Sequence, residues 1–262
     1  MKIEIFDIDG TLTYAYGDIC DTTGFKTYAF WPLISEHFTK DIAILIKMIE
    51  EWEESMKFEQ DHTGSSHLMM QRSIETFRSN VTSTEVRSFA KEVTLLFIEK
   101  GVIRKEAIAY LEEKVQQGIL CILSTGSYQD GAAGFVDALE ESKLISKNTA
   151  LALYISGAIV DWEKGKLLHA NVRERKIIGI ERLFDQEIST LKEHIQAIYA
   201  DDPWINDRDI LTLAPQANAF VISTVKNKDK ILPNGLLLTT WPLIIEEFGV
   251  IKPNSQINRV KM

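Results

Sequence analysis

The chain has 262 residues, of which 45% are hydrophobic and 26% charged, a composition typical of a globular protein with a large core. Its net charge of −9 and isoelectric point near 5.2 argue against a nucleic-acid-binding protein, which usually presents a basic surface. Two cysteines suggest no disulfide framework, and no signal segment or apolar run long enough to cross a bilayer is found. The sequence therefore predicts a cytoplasmic protein without membrane contact.

The first eleven residues, MKIEIFDIDGT, predict a short buried strand that ends in a sharp turn. Asp7 and Asp9 stand two positions apart, so their side chains point to the same face, roughly 6.5 to 7 Å apart in an extended strand. Two like charges held this close require a compensating cation or a shared proton. Gly10 permits the abrupt exit from the strand, and Thr11 adds a hydroxyl beside the carboxylates.

A long helical block follows the first strand. The spacing of apolar residues predicts three helices there, at residues 41–58, about 67–78 and 84–100. A simple strand–helix–strand unit needs no insertion of this size. We therefore expect an all-helical cap at residues 14–100, inserted into a core formed by residues 1–13 and 101–262. One aromatic cluster in this block is interpreted as packing rather than as a substrate site: Phe25, Tyr28, Phe30 and Trp31.

From residue 104 onward, helices and strands alternate. A helix at 106–117 and an apolar strand at 119–123 lead into Ser124-Thr125-Gly-Ser, and a second helix begins at Asp130. A strand that delivers hydroxyls and glycines to a helix start is typical of an anion-binding loop, because backbone N–H groups and the helix dipole face the ligand. The same four residues are also common turn residues, so the run by itself is a weak signal.

The rest of the chain continues this alternation. Further strands are predicted at residues 150–156, 194–200 and 218–222. A helix that starts near Asn171 carries Lys176. Strands alternating with helices predict an α/β fold with a doubly wound, parallel, Rossmann-like sheet, whose ligands bind at the carboxyl ends of the strands. Because Asp7, Ser124 and Asp201 all fall at such ends, we expect them to share one site.

The string FDIDGTLT at residues 6–13 resembles the first motif of the haloacid dehalogenase superfamily, most of whose members transfer phosphoryl groups. Ser124 matches the position of the second motif. The segment NVRERKIIGI resembles the lysine-containing helix start of the phosphoserine-phosphatase-like branch, and Trp241-Pro-Leu-Ile resembles its Gly-Trp-Pro closing segment. The resemblance covers most of residues 1–13 and 105–245, and it implies a Rossmann-like core whose cap is inserted after the first strand.

This resemblance also implies catalytic roles for three residues. Asp7 is implied to be the nucleophile that becomes an aspartyl phosphate, and Asp9 the general acid and base. Lys176 is implied to steady the nucleophile and the phosphoryl group. Lys164 and Lys166 are rivals for that role, but both fall in a predicted hairpin turn, where a solvated position is expected.

Phosphoryl and metal contacts follow from the same comparison. Ser124, with the backbone N–H of Thr125 beside it, is implied to bind phosphoryl oxygens together with Thr11. The resemblance implies Mg²⁺, held by the carboxylate of Asp7, the backbone carbonyl of Asp9 and a carboxylate of the fourth motif.

The fourth motif departs from the pattern of the branch. The string Tyr199-Ala-Asp-Asp-Pro-Trp-Ile-Asn-Asp207 can be aligned so that either Asp201 or Asp202 is the metal ligand, and both remain open. Asp207 is expected to contact metal-bound water. Acidic residues are also common at helix N-termini, but with Asp7 and Asp9 nearby they would converge on one crevice and need a cation.

The sequence predicts a Mg²⁺-dependent phosphatase that acts on a small phosphorylated metabolite. A phosphomutase or phosphotransferase of the same superfamily also uses both carboxylates and is an alternative. A catalytically silent binding protein on the same fold is a second one. The Ser-Leu-Arg-containing cap segment of phosphoserine phosphatases is not found, so phosphoserine is not the expected substrate. Oligomeric state and the identity of the substrate cannot be read from the sequence.

Overall fold

The computed structural model describes residues 1–56, 62–233 and 236–248. Within them, a single sheet runs through the molecule, with its strands in the order β4-β3-β2-β1-β5-β6-β7. All neighbouring strands are parallel except β3 and β4, which form an antiparallel hairpin. The predicted α/β, doubly wound fold is thus confirmed. The strands are β1 (Ile3–Phe6), β2 (Leu120–Tyr128), β3 (Tyr154–Asp161), β4 (Lys166–His169), β5 (Ile195–Ala200), β6 (Ala219–Ile222) and β7 (Leu237–Thr239).

Four helices of the described residues form the helical block, and a fifth leads into the second strand before helices and strands alternate. The first group is α1 (Phe30–Phe38), α2 (Ile42–Met56), α3 (His62–Glu75) and α4 (Ser83–Glu99). The second group within the described residues is α5 (Lys105–Gln116), α6 (Gln129–Glu141), α7 (Lys147–Ala152), α8 (Glu174–Phe184), α9 (Ile188–Leu191), α10 (Arg208–Leu211) and α11 (Trp241–Phe248). The three helices predicted in the helical block correspond to α2, α3 and α4, whereas α1 was not predicted.

The register of the central strand brings the predicted site together. Phe6, the last residue of β1, is aligned with Leu123 of β2 and Tyr199 of β5. The residues that follow these positions therefore lie at the same edge of the sheet. β1 is short and completely buried, as a central strand covered on both faces must be.

The helical block shares its core with the sheet. Helix α4 packs closely along α6, because Gly134 has no side chain: a Cβ atom there would lie 2.2 Å from the backbone oxygen of Arg87. Phe30 of α1 and Phe97 of α4 belong to the same hydrophobic cluster as Phe135 of α6. The division into core and cap at residues 13/14 and 100/101 stays a prediction.

Two local predictions were wrong. The apolar run at 150–156 was expected to be one strand, but its first half belongs to α7 and β3 begins only at Tyr154. Ser146 caps α7 by accepting the backbone N–H of Thr149 at 3.2 Å, and Leu151 is 77% exposed, so this end of the run is not buried in the sheet. The helix predicted at 84–100 begins one residue earlier, at Ser83, because Thr82 caps it in a capping box with Glu85.

Among the described residues, we find no helix with both the length and the apolar character needed to cross a membrane.

Candidate active site

Asp7 and Asp9 leave the carboxyl end of β1 and both line one cavity of about 500 Å³. The backbone N–H of Asp7 donates to the oxygen of Tyr199 at 2.8 Å, which extends the ladder between β1 and β5 to the edge of the site. Gly10 then turns the chain with a φ of +79°, and a Cβ atom there would lie 2.2 Å from Oδ2 of Asp201. Glycine is therefore required twice at this position, for the backbone angle and for the close approach of that carboxylate.

Lys176 lies at the centre of the site with no exposure to solvent. Its Nζ atom donates to Oδ1 of Asp7 at 2.8 Å, to Oδ1 of Asp207 at 2.5 Å and to the backbone oxygen of Ser124 at 3.0 Å. Burial alone would lower the pKa of Lys176, but the carboxylates of Asp207 and Asp7 outweigh it and raise that pKa. The ammonium group is therefore charged and links the end of β1, strand β2 and the loop that follows β5.

A loop hydrogen-bonded by Asn171 carries the chain into the lysine helix. The Asn171 side-chain amide donates to the backbone oxygens of Thr125 and Ser156, both at 2.9 Å. Helix α8 then packs so closely that a Cβ atom at Gly179 would lie 2.3 Å from Oδ1 of Asn171. This packing fixes the first turn of the helix and with it the position of Lys176.

Three carboxylates surround the ammonium group and could hold a metal ion. One oxygen each from Asp7, Asp201 and Asp207 lies within 4.8 Å of the others. The carboxylate of Asp201 accepts no hydrogen bond from the described part of the chain, while its backbone oxygen accepts one from Asn227 at 2.8 Å. Carboxylate oxygens converging in this way fit a hard divalent cation such as Mg²⁺.

Asp202 plays a different part in the same loop. Its carboxylate accepts the backbone N–H groups of Trp204, Ile205 and Asn206 at 3.1 to 3.3 Å. Its backbone N–H also donates to Oδ2 of Asp207 at 3.3 Å. Of the two alternatives left open by the sequence, Asp201 is the one whose side chain lies in the carboxylate cluster, and Asp202 shapes the loop that holds it.

The carboxyl groups of Asp7, Asp201 and Asp207 are not fully neutralised by nearby positive charge. Burial raises the pKa of Asp7 to about 6, against the opposing effect of Lys176 and with a contribution from Asp9. Burial likewise raises the pKa of Asp207 to about 7 and that of Asp201 well above its usual range, and the neighbouring carboxylates add to both. A divalent cation bound here would relieve that repulsion.

Asp9 lies on the cavity side of the cluster. Its carboxylate accepts the backbone N–H of Phe30, at the N-terminus of α1, at 3.3 Å. Removal from water raises the pKa of Asp9 to about 7, and this hydrogen bond offsets only part of the shift. A carboxyl group that titrates near neutral pH is suited to exchange protons with a ligand.

The predicted hydroxyls are buried around the same point. Ser124 and Thr11 are fully buried, and the hydroxyl of neither has a hydrogen-bond partner among the described residues. Thr125 accepts the backbone N–H of Ser127 at 3.0 Å, and this shapes the turn. The residues of this run that line the cavity are Gly126 and Ser127. Ser127 was not predicted, although it is a second hydroxyl in the Ser-Thr-Gly-Ser run, and its own hydroxyl also lacks a partner there.

Solved structures with this fold cover most of the chain. A protein of unknown function from Bordetella pertussis Tohama I aligns with a TM-score of 0.56 and 13% identity over 92% of this chain and 98% of that one. Cytosolic 5′-nucleotidase IIIB bound to cytidine gives 0.55 and 12% over 86% and 74%. Phosphoserine phosphatase from T. onnurineus, in complex with NDSB-201, gives 0.50 and 17% over 96% of both. No protein-family model and no curated protein matches the sequence.

These likenesses establish the fold. The chain shares its α/β architecture with these structures over most of its length, in agreement with the fold predicted from the sequence.

Proposed function

We propose that the chain is a Mg²⁺-dependent phosphatase that hydrolyses a small phosphorylated metabolite through an aspartyl phosphate at Asp7. The observation that carries this proposal is the buried ammonium group of Lys176 between Asp7 and Asp207, with Asp201 beside them at the end of the sheet. Phosphoryl transfer requires a nucleophile, a proton shuttle and positive charge around the phosphoryl oxygens. All three are available around one cavity.

The direct contact with Lys176 supports Asp7 as the nucleophile. The ammonium group keeps Asp7 ionised and fixes the rotamer of its carboxylate, whose free oxygen then attacks phosphorus. Asp9 donates its proton to the leaving oxygen and later takes a proton from the water that hydrolyses the aspartyl phosphate. Ser127 lines the cavity, and its hydroxyl, which has no partner among the described residues, is proposed to donate to a phosphoryl oxygen. Ser124, proposed for the same role from the sequence, is fully buried beside it and does not line the cavity.

Mg²⁺ would be held by the carboxylates of Asp7 and Asp201 and the backbone carbonyl of Asp9. It supplies positive charge that offsets the charge of the phosphoryl oxygens and of the buried carboxylates. Asp207 is already engaged by Lys176 and by the backbone of Asp202, so its part is to orient the ammonium group.

The helical block is proposed to act as a lid. Trp31 of α1, Ile49 of α2 and Met70 of α3 line the cavity opposite the carboxylates. A lid in this place would exclude bulk water from the transfer step and select the leaving group.

The test is hydrolysis of p-nitrophenyl phosphate with and without Mg²⁺. We expect Mg²⁺-dependent turnover by the wild type and loss of at least about a thousandfold in Asp7→Asn, which removes the nucleophile. Asp137→Asn is the matched control, because it removes a carboxylate from a surface ion pair with Arg87. Single turnover in heavy-oxygen water should leave label in the released phosphate and none in the Asp7 carboxylate, because water attacks phosphorus in the second step. Turnover that Asp7→Asn retains would refute the proposal.

A further inference from the structure

The cavity extends well beyond the carboxylates. Its volume of about 500 Å³ lies within the range of sites that take drug-sized ligands, about 300 to 1,000 Å³. A three-carbon leaving group would leave much of that space to water. Under the proposed function, the residues that line this remaining space would contact the rest of the substrate.

Five aromatic side chains line the cavity. They come from three separate parts of the chain: Tyr14, Tyr16, Tyr28, Trp31 and Trp204. A cluster of this kind buries flat apolar groups and pairs with their rings in stacked or edge-to-face geometry.

Several of these rings are fixed by contacts with neighbouring side chains. The guanidinium group of Arg104 lies 4.1 Å from the centre of the Tyr14 ring and is anchored by an ion pair with Asp18 at 3.1 Å. The hydroxyl of Tyr28 donates to Asp21 at 2.9 Å, and its ring meets that of Tyr16 edge-on at 5.4 Å. Rings fixed in this way lose little freedom when a ligand binds, which favours binding.

Charge in the cavity is arranged unevenly. Within the described residues, all acidic side chains that line it belong to the cluster and loop at the strand ends, and no arginine or glutamate lines it. Two lysines, Lys226 and Lys230, also line it, and Lys230 lies 4.8 Å from the centre of the Trp204 ring. The charge of Lys226 opposes the rise in the pKa of Asp9 and Asp201. Outside that cluster and loop, an ammonium group on the leaving group would find no carboxylate among the described lining residues.

We infer that the substrate is a phosphomonoester whose leaving group carries a flat aromatic ring and no ammonium group. This inference rests on the proposed function and names its substrate class. An aryl or benzyl phosphate and a nucleoside monophosphate share this chemistry. They differ in whether the ring lies next to the ester oxygen or beyond a sugar, and the test separates them.

Binding is measured by calorimetry on the Asp7→Asn variant with Mg²⁺, so that differences in ester reactivity do not enter. The ligands are benzyl phosphate, cyclohexylmethyl phosphate, O-phosphoserine and uridine monophosphate. We expect benzyl phosphate to bind about threefold to tenfold more tightly than its non-aromatic counterpart, the gain of one aromatic contact pair. O-phosphoserine should bind more weakly than both. Tighter binding of the uridine nucleotide than of benzyl phosphate would identify the nucleoside as the source of the ring.

A matched pair of tyrosine variants locates the effect. Tyr16 lines the cavity and is 42% exposed, whereas Tyr154 lies outside it on β3 and is 39% exposed. Tyr16→Ala should lower the preference for benzyl over cyclohexylmethyl phosphate by about twofold to fivefold. Tyr154→Ala should leave that preference at the wild-type value.

The outcomes distinguish this inference from the proposed function. If the wild type hydrolyses these esters but O-phosphoserine or cyclohexylmethyl phosphate binds best, the aromatic class is wrong and the phosphatase stands. If none of the esters is hydrolysed, the proposed function fails, and the calorimetric ranking alone decides whether the cavity selects rings.

Discussion

Replacing Lys176 by methionine should destabilise the protein strongly at pH 8 and hardly at pH 5. The lysine is completely buried, and the carboxyl groups that it contacts, on Asp7 and Asp207, are 5% and 1% exposed. Methionine has a similar length and no charge, so the variant leaves two buried carboxylates without their cation. Such groups escape by binding protons.

The cost of that escape can be worked out from the pKa values. Protonating a carboxyl group with an ordinary pKa of 3.8 costs about 6 kcal/mol at pH 8. In the folded wild type at pH 8 both carboxyl groups are ionised. Raising their pKa values from the ordinary 3.8 to about 6 for Asp7 and about 7 for Asp207 lowers the stability by only about 3 and about 4 kcal/mol. The variant should therefore lose about 4 kcal/mol in total at pH 8, within the range for a broken buried ion pair.

At pH 5 the result should differ, because both carboxyl groups already bind protons in the folded wild type. A folded-state pKa above the unfolded value gives stability at low pH that is lost as the pH rises through it. The loss in Lys176→Met should therefore fall below about 1 kcal/mol at pH 5.

The assay is urea unfolding of both proteins at the two pH values, with chelator to exclude divalent ions. Lys91→Met is the control, because Lys91 forms a surface ion pair with Glu141 whose loss should change stability little at either pH. Equal losses for Lys176→Met at pH 5 and pH 8, or no loss at pH 8, would refute the reasoning.

Three further predictions concern the surroundings of the site. Gly10→Ala should lower the thermal stability clearly more than Gly118→Ala. Both glycines have a positive φ, but only at Gly10 would the Cβ atom meet a carboxylate. Equal losses of stability would show that the close contact with Asp201 makes no contribution. Mg²⁺ at a hundred times its Kd should stabilise the wild type by about 3 kcal/mol. Asp201→Asn should abolish this stabilisation and Asp202→Asn should retain it. The reverse pattern would identify Asp202 as the metal ligand. Burial, with the charge of Arg182, lowers the pKa of His169 to about 4, so below pH 6.5 the folded protein binds fewer protons than the unfolded chain. The wild type therefore loses stability between pH 7 and pH 5, and His169→Gln should remove about 2 kcal/mol of that loss. The same loss of unfolding free energy in both proteins, measured with urea, would contradict this.

The parts of the fold that the sequence predicted are those specified locally. β1, β5 and β6 are short, mostly apolar runs bounded by polar residues, and all three lie close to their predicted positions. The run at 150–156 failed because Ser146 provides a helix cap whose effect outweighs the apolar character of the residues after it. β7, with three residues, is too short for its period to be read.

The sequence predicted which residues belong to the candidate site, but it could not separate the roles of the two adjacent aspartates. Asp7, Asp9, Lys176 and the acidic loop were all identified, because motif spacing constrains them. Sequence could not separate Asp201 from Asp202, since adjacent carboxylates differ only in which one accepts the backbone N–H groups of the loop. The cavity walls were missed for another reason. Tyr28 and Trp31 were interpreted as packing, and their position at the cavity depends on contacts between segments distant in sequence.

The different surroundings of Asp7 and Asp9 explain how two carboxyl groups two positions apart could take opposite roles. Asp7 contacts the ammonium group of Lys176 directly, and this favours its charged form. Among the described residues Asp9 accepts a hydrogen bond only from the backbone N–H of Phe30, and burial raises its pKa to about 7, so under the proposed function it would hold a proton for the leaving oxygen. A cation bound between Asp7 and Asp201 would lower the pKa of Asp7 further and widen this difference. The buried lysine is therefore expected to do more than neutralise charge: by contacting only one of the two carboxyl groups, it selects which one attacks phosphorus.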